Sequence, residues 1–252
     1  MGRDSVTCIT SGGIGNILFQ VANGLAYANR HNKRFFLSQL DYGSIHTGID
    51  FYRSNILSKI DYKQIRPDGF FDGGVSRYTE ANFCYSDIPY IKGGVILEGY
   101  FQSLKYFADY DELIRSELVL DRVERDCCSI HVRRGDYLSL QDKHTVLPVD
   151  YYDKAISIVP SDKYMVFSDD TDWCKTVFIG DRFSFFEGDP YQSLATMASC
   201  RDHIIANSSF SWWGSYFGWS KNKKIVAPRD WFGPSYSNNS TKDLYTENMI
   251  VI

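Results

Sequence analysis

The sequence predicts an α/β fold built on parallel sheet, and three observations carry that prediction. Short apolar runs recur through the second half at Ser129 to Val132, Tyr164 to Phe167, Arg182 to Phe186, His203 to Ala206 and Lys224 to Ala227, with stretches able to form helices between most of them. The N-terminal residues read as strand, glycine-rich loop, helix and second strand. The composition, 44% hydrophobic and 16% aromatic over 252 residues, suffices for a large core in one big domain or two small ones. Strands that alternate with helices imply a parallel sheet covered on both faces.

Taken in order, Val6 to Thr10 reads as a strand, followed by the loop Ser11-Gly-Gly-Ile-Gly-Asn16. Ile17, Leu18, Val21, Ala22, Leu25 and Ala26 then fall at helical spacing, and Arg34 to Ser38 reads as the next strand. Residues 41 to 95 hold many Tyr, Asp and Gly without a clean period, which predicts loops and short elements. A boundary is placed near residue 121, in the charged stretch Asp121 to Asp126, giving halves 1–121 and 122–252. Asp189-Pro190 is a helix start, an acidic N-cap with Pro in the first turn, leading into Leu194, Met197 and Ala198.

With 27 Lys and Arg against 31 Asp and Glu, the net charge of −4 supplies no positive field for nucleic acid. Any anion must be captured locally. The six cysteines are irregularly spaced without CxxC, and neighbours Cys127 and Cys128 point to opposite sides of a strand, so they read as buried thiols in a reducing compartment. The first ten residues are too polar for a signal peptide, and no run of about 18 apolar residues offers a transmembrane anchor. A soluble, cytoplasmic protein is expected.

Cys128-Ser-Ile-His-Val-Arg-Arg-Gly-Asp136 reads as a strand whose Ile130 and Val132 face the core, so His131 and Arg133 share the other face and Arg134 points away. A strand ending in two arginines places fork-shaped cations where a parallel sheet opens its ligand crevice, and guanidinium suits phosphate oxygens. An exposed pair in surface ion pairs is the plainer alternative. His203 to Phe210 followed by Ser-Trp-Trp-Gly214 reads as strand, polar turn and helix start. There the backbone N–H groups, with Ser208 and Ser209, would receive a phosphate, or Asn207 and the serines would simply cap the helix.

Phe167-Ser-Asp-Asp170 ends a strand in two carboxylates suited to the edge of a base or to a helix cap. Asp170-Thr-Asp172 matches the DxD pattern of metal-dependent glycosyl transfer, as Asp109-Tyr-Asp111 does equally well; with Arg133 at hand to neutralise phosphate, no metal is expected. The loop at Gly13, Gly15 and Asn16 has Leu18 where a dinucleotide loop needs its third glycine. It reads as a turn that lets backbone approach a ligand, or as an ordinary tight turn.

In combination, GGIGNILFQVANGLAYA, GYFQSLKYF, IHVRRGDYL, FSDDTDWC and IIANSSFSWWGSYF resemble, in order, the motifs of the α-1,2-fucosyltransferases of glycosyltransferase family eleven, from about residue 9 to Phe232. The resemblance implies a GT-B-like architecture, two Rossmann-like halves facing a cleft, with an acceptor-side half first and GDP-fucose held mainly by the second. It implies transfer of L-fucose with inversion to a glycan hydroxyl, O2 of a terminal galactose by default. It implies no cofactor beyond the donor substrate.

By the same resemblance, Arg133 contacts the diphosphate and His131 lies by the ribose or phosphate. Ser208, Ser209 and Phe210 hold phosphate and base, Asp169 reads the guanine edge, and Arg134 and Asp136 organise the site. Asp136, Glu98 and Glu187 are the chemical candidates for a general base. The family's usual GGLGNQ departs here to Asn16-Ile17, leaving Asn16 or Gln20 to replace the glutamine. The rival readings are a transferase with another linkage or another GDP-linked deoxysugar, and a silent sugar-nucleotide or glycan-binding protein.

Overall fold

The computed structural model describes residues 4–38, 48–63 and 74–252, so part of the irregular region 41 to 95 lies outside the described residues. The chain forms two compact units, residues 1–120 with 242–244, and residues 121–241 with 245–252. The three-residue return, which the sequence reading did not separate, is explained by Asp243. Its carboxylate pairs with Lys105 at 2.7 Å and accepts the Tyr85 N–H at 3.1 Å.

The first unit opens with strand β1 (Ser5–Cys8) and helix α1 (Ile14–Arg30), whose thirteen buried residues include Ile17, Leu18, Val21, Ala22 and Ala26 from the predicted apolar face. The single strand predicted over Arg34 to Ser38 is divided. β2 (Arg34–Phe35) pairs with β1, then the chain turns so that β3 (Leu37–Ser38) pairs elsewhere. After α2 (Ile49–Arg53), β4 (Tyr62–Lys63) is the partner of β3, with Leu37 opposite Tyr62. β5 (Val75–Thr79) and β6 (Gly94–Glu98) were not resolved by sequence reading, and α3 (Asp111–Glu117) closes the unit. Its main sheet has the order β2-β1-β6-β5, with parallel pairings.

The second unit runs β7 (Arg125–Val132), α4 (Val149–Ile158), β8 (Tyr164–Ser168), α5 (Thr171–Val177), β9 (Phe183–Phe185), α6 (Pro190–Ala198), β10 (Cys200–Ile204), α7 (Ser209–Phe217), β11 (Ile225–Ala227) and β12 (Met249–Val251). α6 starts at the predicted place: Asp189 accepts the Gln192 N–H while the Gln192 side chain accepts the Asp189 N–H, a reciprocal cap. The six strands are parallel in the order β12-β11-β10-β7-β8-β9. Counted along the chain, this is the doubly wound dinucleotide-fold order, reversing between β7 and β10.

Helices cover both faces, as the alternation of strands and helices implied. Cys128, Ile130 and Val132 enter one apolar cluster, but the opposite face is packed too, with Cys127, Phe167, Met197 and Cys200 in a second cluster. His131 is therefore buried rather than facing an open crevice. Among the described residues five of the six cysteines are buried, Cys84 is half-buried and all are free thiols. No described helix is long and apolar enough to cross a membrane.

Candidate functional site

In the second unit the crossovers leave β7 and β10 toward opposite sides, so the loops after these strands part and open a crevice at their carboxyl ends. The loop after β7 carries Arg133, Arg134, Gly135 and Asp136, and that after β10 carries Asn207 and Ser208 before α7. Tyr137 ties the two together, its hydroxyl donating to the Asn207 carbonyl at 3.1 Å. Its ring stacks on His144 at 4.4 Å and lies 5.4 Å from the Arg133 guanidinium. Sequence reading missed Tyr137, whose signal was an aromatic directly after the Arg-Arg-Gly-Asp turn.

β7 ends at Val132, which leaves Arg133 one residue beyond it. Its guanidinium fork is held between two carboxylates, Nη2 to Asp136 Oδ1 at 2.7 Å and Nη1 to Asp169 Oδ2 at 2.7 Å. Asp169 Oδ1 also accepts the Arg134 N–H at 2.9 Å. Gly135 makes room for this, since a Cβ there would meet Asp169 Oδ2 at 2.8 Å. Arg134 does turn away from Arg133. Its Nε donates to Asp170 at 3.0 Å and its guanidinium lies 4.4 Å from the Trp173 ring.

His131 is 6% exposed, with its ring 5.5 Å from Phe210 and a buried Nδ1 that has no hydrogen-bond partner among the described residues. Burial, reinforced by the Arg133 charge and opposed by Asp169, pushes it down to about 3. The ring is neutral at physiological pH and can exchange one hydrogen bond at Nδ1 without bringing a charge.

Ser208 occupies the capping position of α7, its hydroxyl accepting the Phe210 N–H at 3.3 Å, while Ser209 opens the helix. Asn207 is buried, and its amide donates to the carbonyls of Thr145 at 2.9 Å and Trp231 at 3.0 Å. It anchors the loop, while its Oδ1 is buried without a partner among the described residues. One oriented helix N-terminus thus stands beside a neutral imidazole at the sheet's reversal point.

The candidates of the first unit lie in the loop between β1 and α1. Gly13 caps α1 in ordinary extended backbone and Gly15 is buried within the helix. The glycine this turn requires is Gly12, at φ +79, where a Cβ would meet the Asn16 amide at 2.4 Å. Asn16 Oδ1 accepts from Gln102 at 2.8 Å. Gln20, offered as a replacement ligand contact, is buried instead, with its amide accepting from Ser11 N and donating to Ser11 Oγ and Gly99 O.

Neither DxD run presents paired carboxylates. Asp170 caps α5 and binds Arg134, Asp172 stands in solvent near Lys175, and Asp111 pairs with Arg115. Among the described residues no three His, Cys, Asp or Glu side chains converge as metal ligands. Of the base candidates, Glu98 accepts from Thr79 at 2.9 Å and Arg77 at 3.4 Å, and Glu187 is exposed near Lys175 at 3.7 Å.

Residues 97–250 match the family model described as glycosyl transferase family 11. An alpha-1,2-colitosyltransferase of Escherichia coli is 30% identical over 267 residues, which cover 88% of this chain and 90% of that protein. A galactoside 2-alpha-L-fucosyltransferase of Caenorhabditis elegans is 28% identical, over 54% of this chain and 46% of its own. In fold, the chain is similar to the crystal structure of the fucosyltransferase NodZ from Bradyrhizobium, with a TM-score of 0.52 and 11% identity, over 85% of this chain and 92% of that one.

Proposed function

The chain belongs to glycosyl transferase family 11, with a GT-B-like fold, and we propose that it transfers L-fucose from GDP-fucose, with inversion, to O2 of a terminal galactose. The observation that carries this reading is Arg133, a guanidinium fork at the end of a reversal-point strand, beside neutral His131 and the N-terminus of α7. The acceptor oxygen attacks fucose C1 from the face opposite GDP. The bond from C1 to the β-phosphate oxygen breaks, GDP leaves with the electron pair, and the acceptor proton passes to a base or to water.

The largest demand is charge growing on the β-phosphate, which preorganised donors meet. Two arginines, Arg133 and Arg134, stand among three carboxylates, Asp136, Asp169 and Asp170, so the diphosphate must take Arg133 from one of them. Asp136, whose side chain is 42% exposed, is the one that yields, because Asp169 is also held by the Arg134 N–H. Released from Arg133, Asp136 becomes available to accept the acceptor proton. In this scheme the neutral His131 ring lies behind Phe210 beside the ribose or phosphate site, with Ser208, Ser209 and Phe210 against phosphate and base and Asn207 bracing the loop. Asp169 shares its lone pairs with the guanine edge, and Gly13, Gly15 and Asn16 serve the acceptor-side half.

GDP release from GDP-fucose in EDTA, with and without a galactose-terminated acceptor, tests this. Release that depends on acceptor and falls about a hundredfold in Arg133→Ala, roughly 3 kcal/mol, is expected. Failure of the purified chain to bind GDP-fucose would overturn the donor assignment. A second reading, transfer of colitose from its GDP derivative, is favoured by the 30% identical colitosyltransferase. Competition between the two donors separates them, since colitose lacks the 3-hydroxyl of fucose.

A further inference from the structure

Cys127 on β7 and Cys200 on β10 place their Sγ atoms 3.4 Å apart, a contact with no part in holding the donor. Neighbouring strands run about 4.8 Å apart, so a regular ladder would keep two such sulfurs at that spacing or turn them to opposite faces. Here the register between β7 and β10 shifts between Cys200 and Asp202, and both side chains enter one apolar cluster with Phe167 and Met197. Cys128 lies in the other cluster, away from the pair. An approach of roughly 1.4 Å would bring the two sulfurs to bonding distance.

The two thiols are chemically unequal. Cys127 is 6% exposed, whereas Cys200 is fully buried. The hydrogen bond with Cys200, aided by the charges of Arg125 and Arg201, holds the Cys127 thiol below its ordinary value against burial and Asp126. Thiolate character and access to solvent make Cys127 the attacking sulfur, with Cys200 placed to resolve it.

The pair is packed into the elements that build the donor crevice. Cys200 Sγ lies 3.5 Å from the Thr196 carbonyl in the last turn of α6. The adjacent Met197 meets α7 so closely that a Cβ at Gly214 would come within 2.3 Å of its Sδ. Phe210, in the first turn of α7, packs on the same cluster with its ring 5.5 Å from His131. A displacement at Cys200 therefore reaches the N-terminus of α7, because a close-packed interior transmits shifts.

We propose that Cys127 and Cys200 form a peroxide-sensitive thiol switch, which closes into a disulfide between the strands that carry the loops of Arg133 and Asn207 and weakens GDP binding at α7. The Cys127 thiolate attacks one oxygen of hydrogen peroxide and the O–O bond breaks, leaving a sulfenic acid and a hydroxide that takes a proton to become water. Cys200 Sγ then attacks Cys127 Sγ, the S–O bond breaks, and the Cys200 proton leaves with the hydroxyl as a second water. Two thiols lose two electrons, one peroxide gains them, and a thiol reductant reverses the bridge. The disulfide does not depend on the donor; its effect on GDP rests on the proposed function.

The test treats the full chain with hydrogen peroxide. The expected product is lighter by two hydrogen atoms and yields a non-reduced peptide that joins Cys127 to Cys200. Its GDP Kd in calorimetry should rise about fivefold and return with dithiothreitol. Cys127→Ser should form no such peptide and keep its GDP Kd through the same treatment. Both thiols free after treatment, a bridge to Cys128 instead, or a bridged chain whose GDP Kd stays within about twofold of the reduced one overturns the proposal. If the reduced chain does not bind GDP, the donor reading fails, and the peptide map still decides whether the two thiols join.

Discussion

Lowering the pH from about 7.5 to about 5.5 should destabilise this protein through two buried imidazoles. Burial pushes His131 and His203 each down to about 3 from 6.5, with the charges of Arg133 and of Lys223 respectively adding to it. His203 is fully buried with Nδ1 2.8 Å from Ser129 Oγ. In the folded chain both rings stay neutral across this range, whereas in the unfolded chain both take up protons. The unfolded state therefore binds more protons, and the stability present above the unfolded value is lost progressively as pH falls from 6.5 toward 3. Over the two pH units each ring costs a little more than ~1 kcal/mol, so the pair costs roughly 3 kcal/mol, a large share of an ordinary domain's 5–15 or so. Urea unfolding midpoints across the range measure it, and His131→Gln and His203→Gln should each remove about 1 kcal/mol of the change. Constant stability, or titration of the His131 or His203 ring near 6.5 in the folded chain, would refute the reasoning.

Gly24→Ala in the middle of α1 gains about 1 kcal/mol of helix propensity but drives a Cβ to 2.2 Å from the Phe35 ring, an overpacking cost of about 1–3 kcal/mol. A net loss in thermal unfolding is expected, and a rise in Tm would contradict that packing. Asn207→Ala removes two donated bonds that brace the loop before α7, at roughly 2 kcal/mol, and weaker GDP binding should accompany the loss in calorimetry. Gly135→Ala brings a Cβ to 2.8 Å from Asp169 Oδ2 and displaces the carboxylate from Arg133. GDP affinity should change severalfold with the circular dichroism spectrum intact, and unaltered affinity would remove Asp169 from the site.

What could be read from the chain alone was what neighbouring residues decide among themselves. The apolar spacing of Ile17, Leu18, Val21 and Ala22 specified α1, and the Asp189-Pro190 pair specified the start of α6, because periodicity and capping involve contacts within a few residues. The runs at Ser129 to Val132 and Tyr164 to Phe167 were legible as strands for the same reason, and the family resemblance emerged from the order of short motifs. β5 and β6 escaped because they sit among glycines and tyrosines, and β3 parted from β2 because its partner lies at Tyr62.

The strand order was decided only by pairing across long stretches of chain, and with it the reversal that sets the loop of Arg133 beside the loop of Asn207. The same is true of the site's electrostatics. Arg133 meets a carboxylate at Asp169, which lies on another strand's loop, and His131 loses its charge because helices cover the face that a two-residue period alone would leave open. The turn Gly99 to Phe101 shows the limit most directly. Its motif was visible, but Phe101 keeps its left-handed φ of +52 because Glu80, eighteen residues before Glu98, folds back to accept the N–H groups of Tyr100 and Phe101. Local chemistry chose the elements, and desolvation and long-range partners chose what their side chains can do.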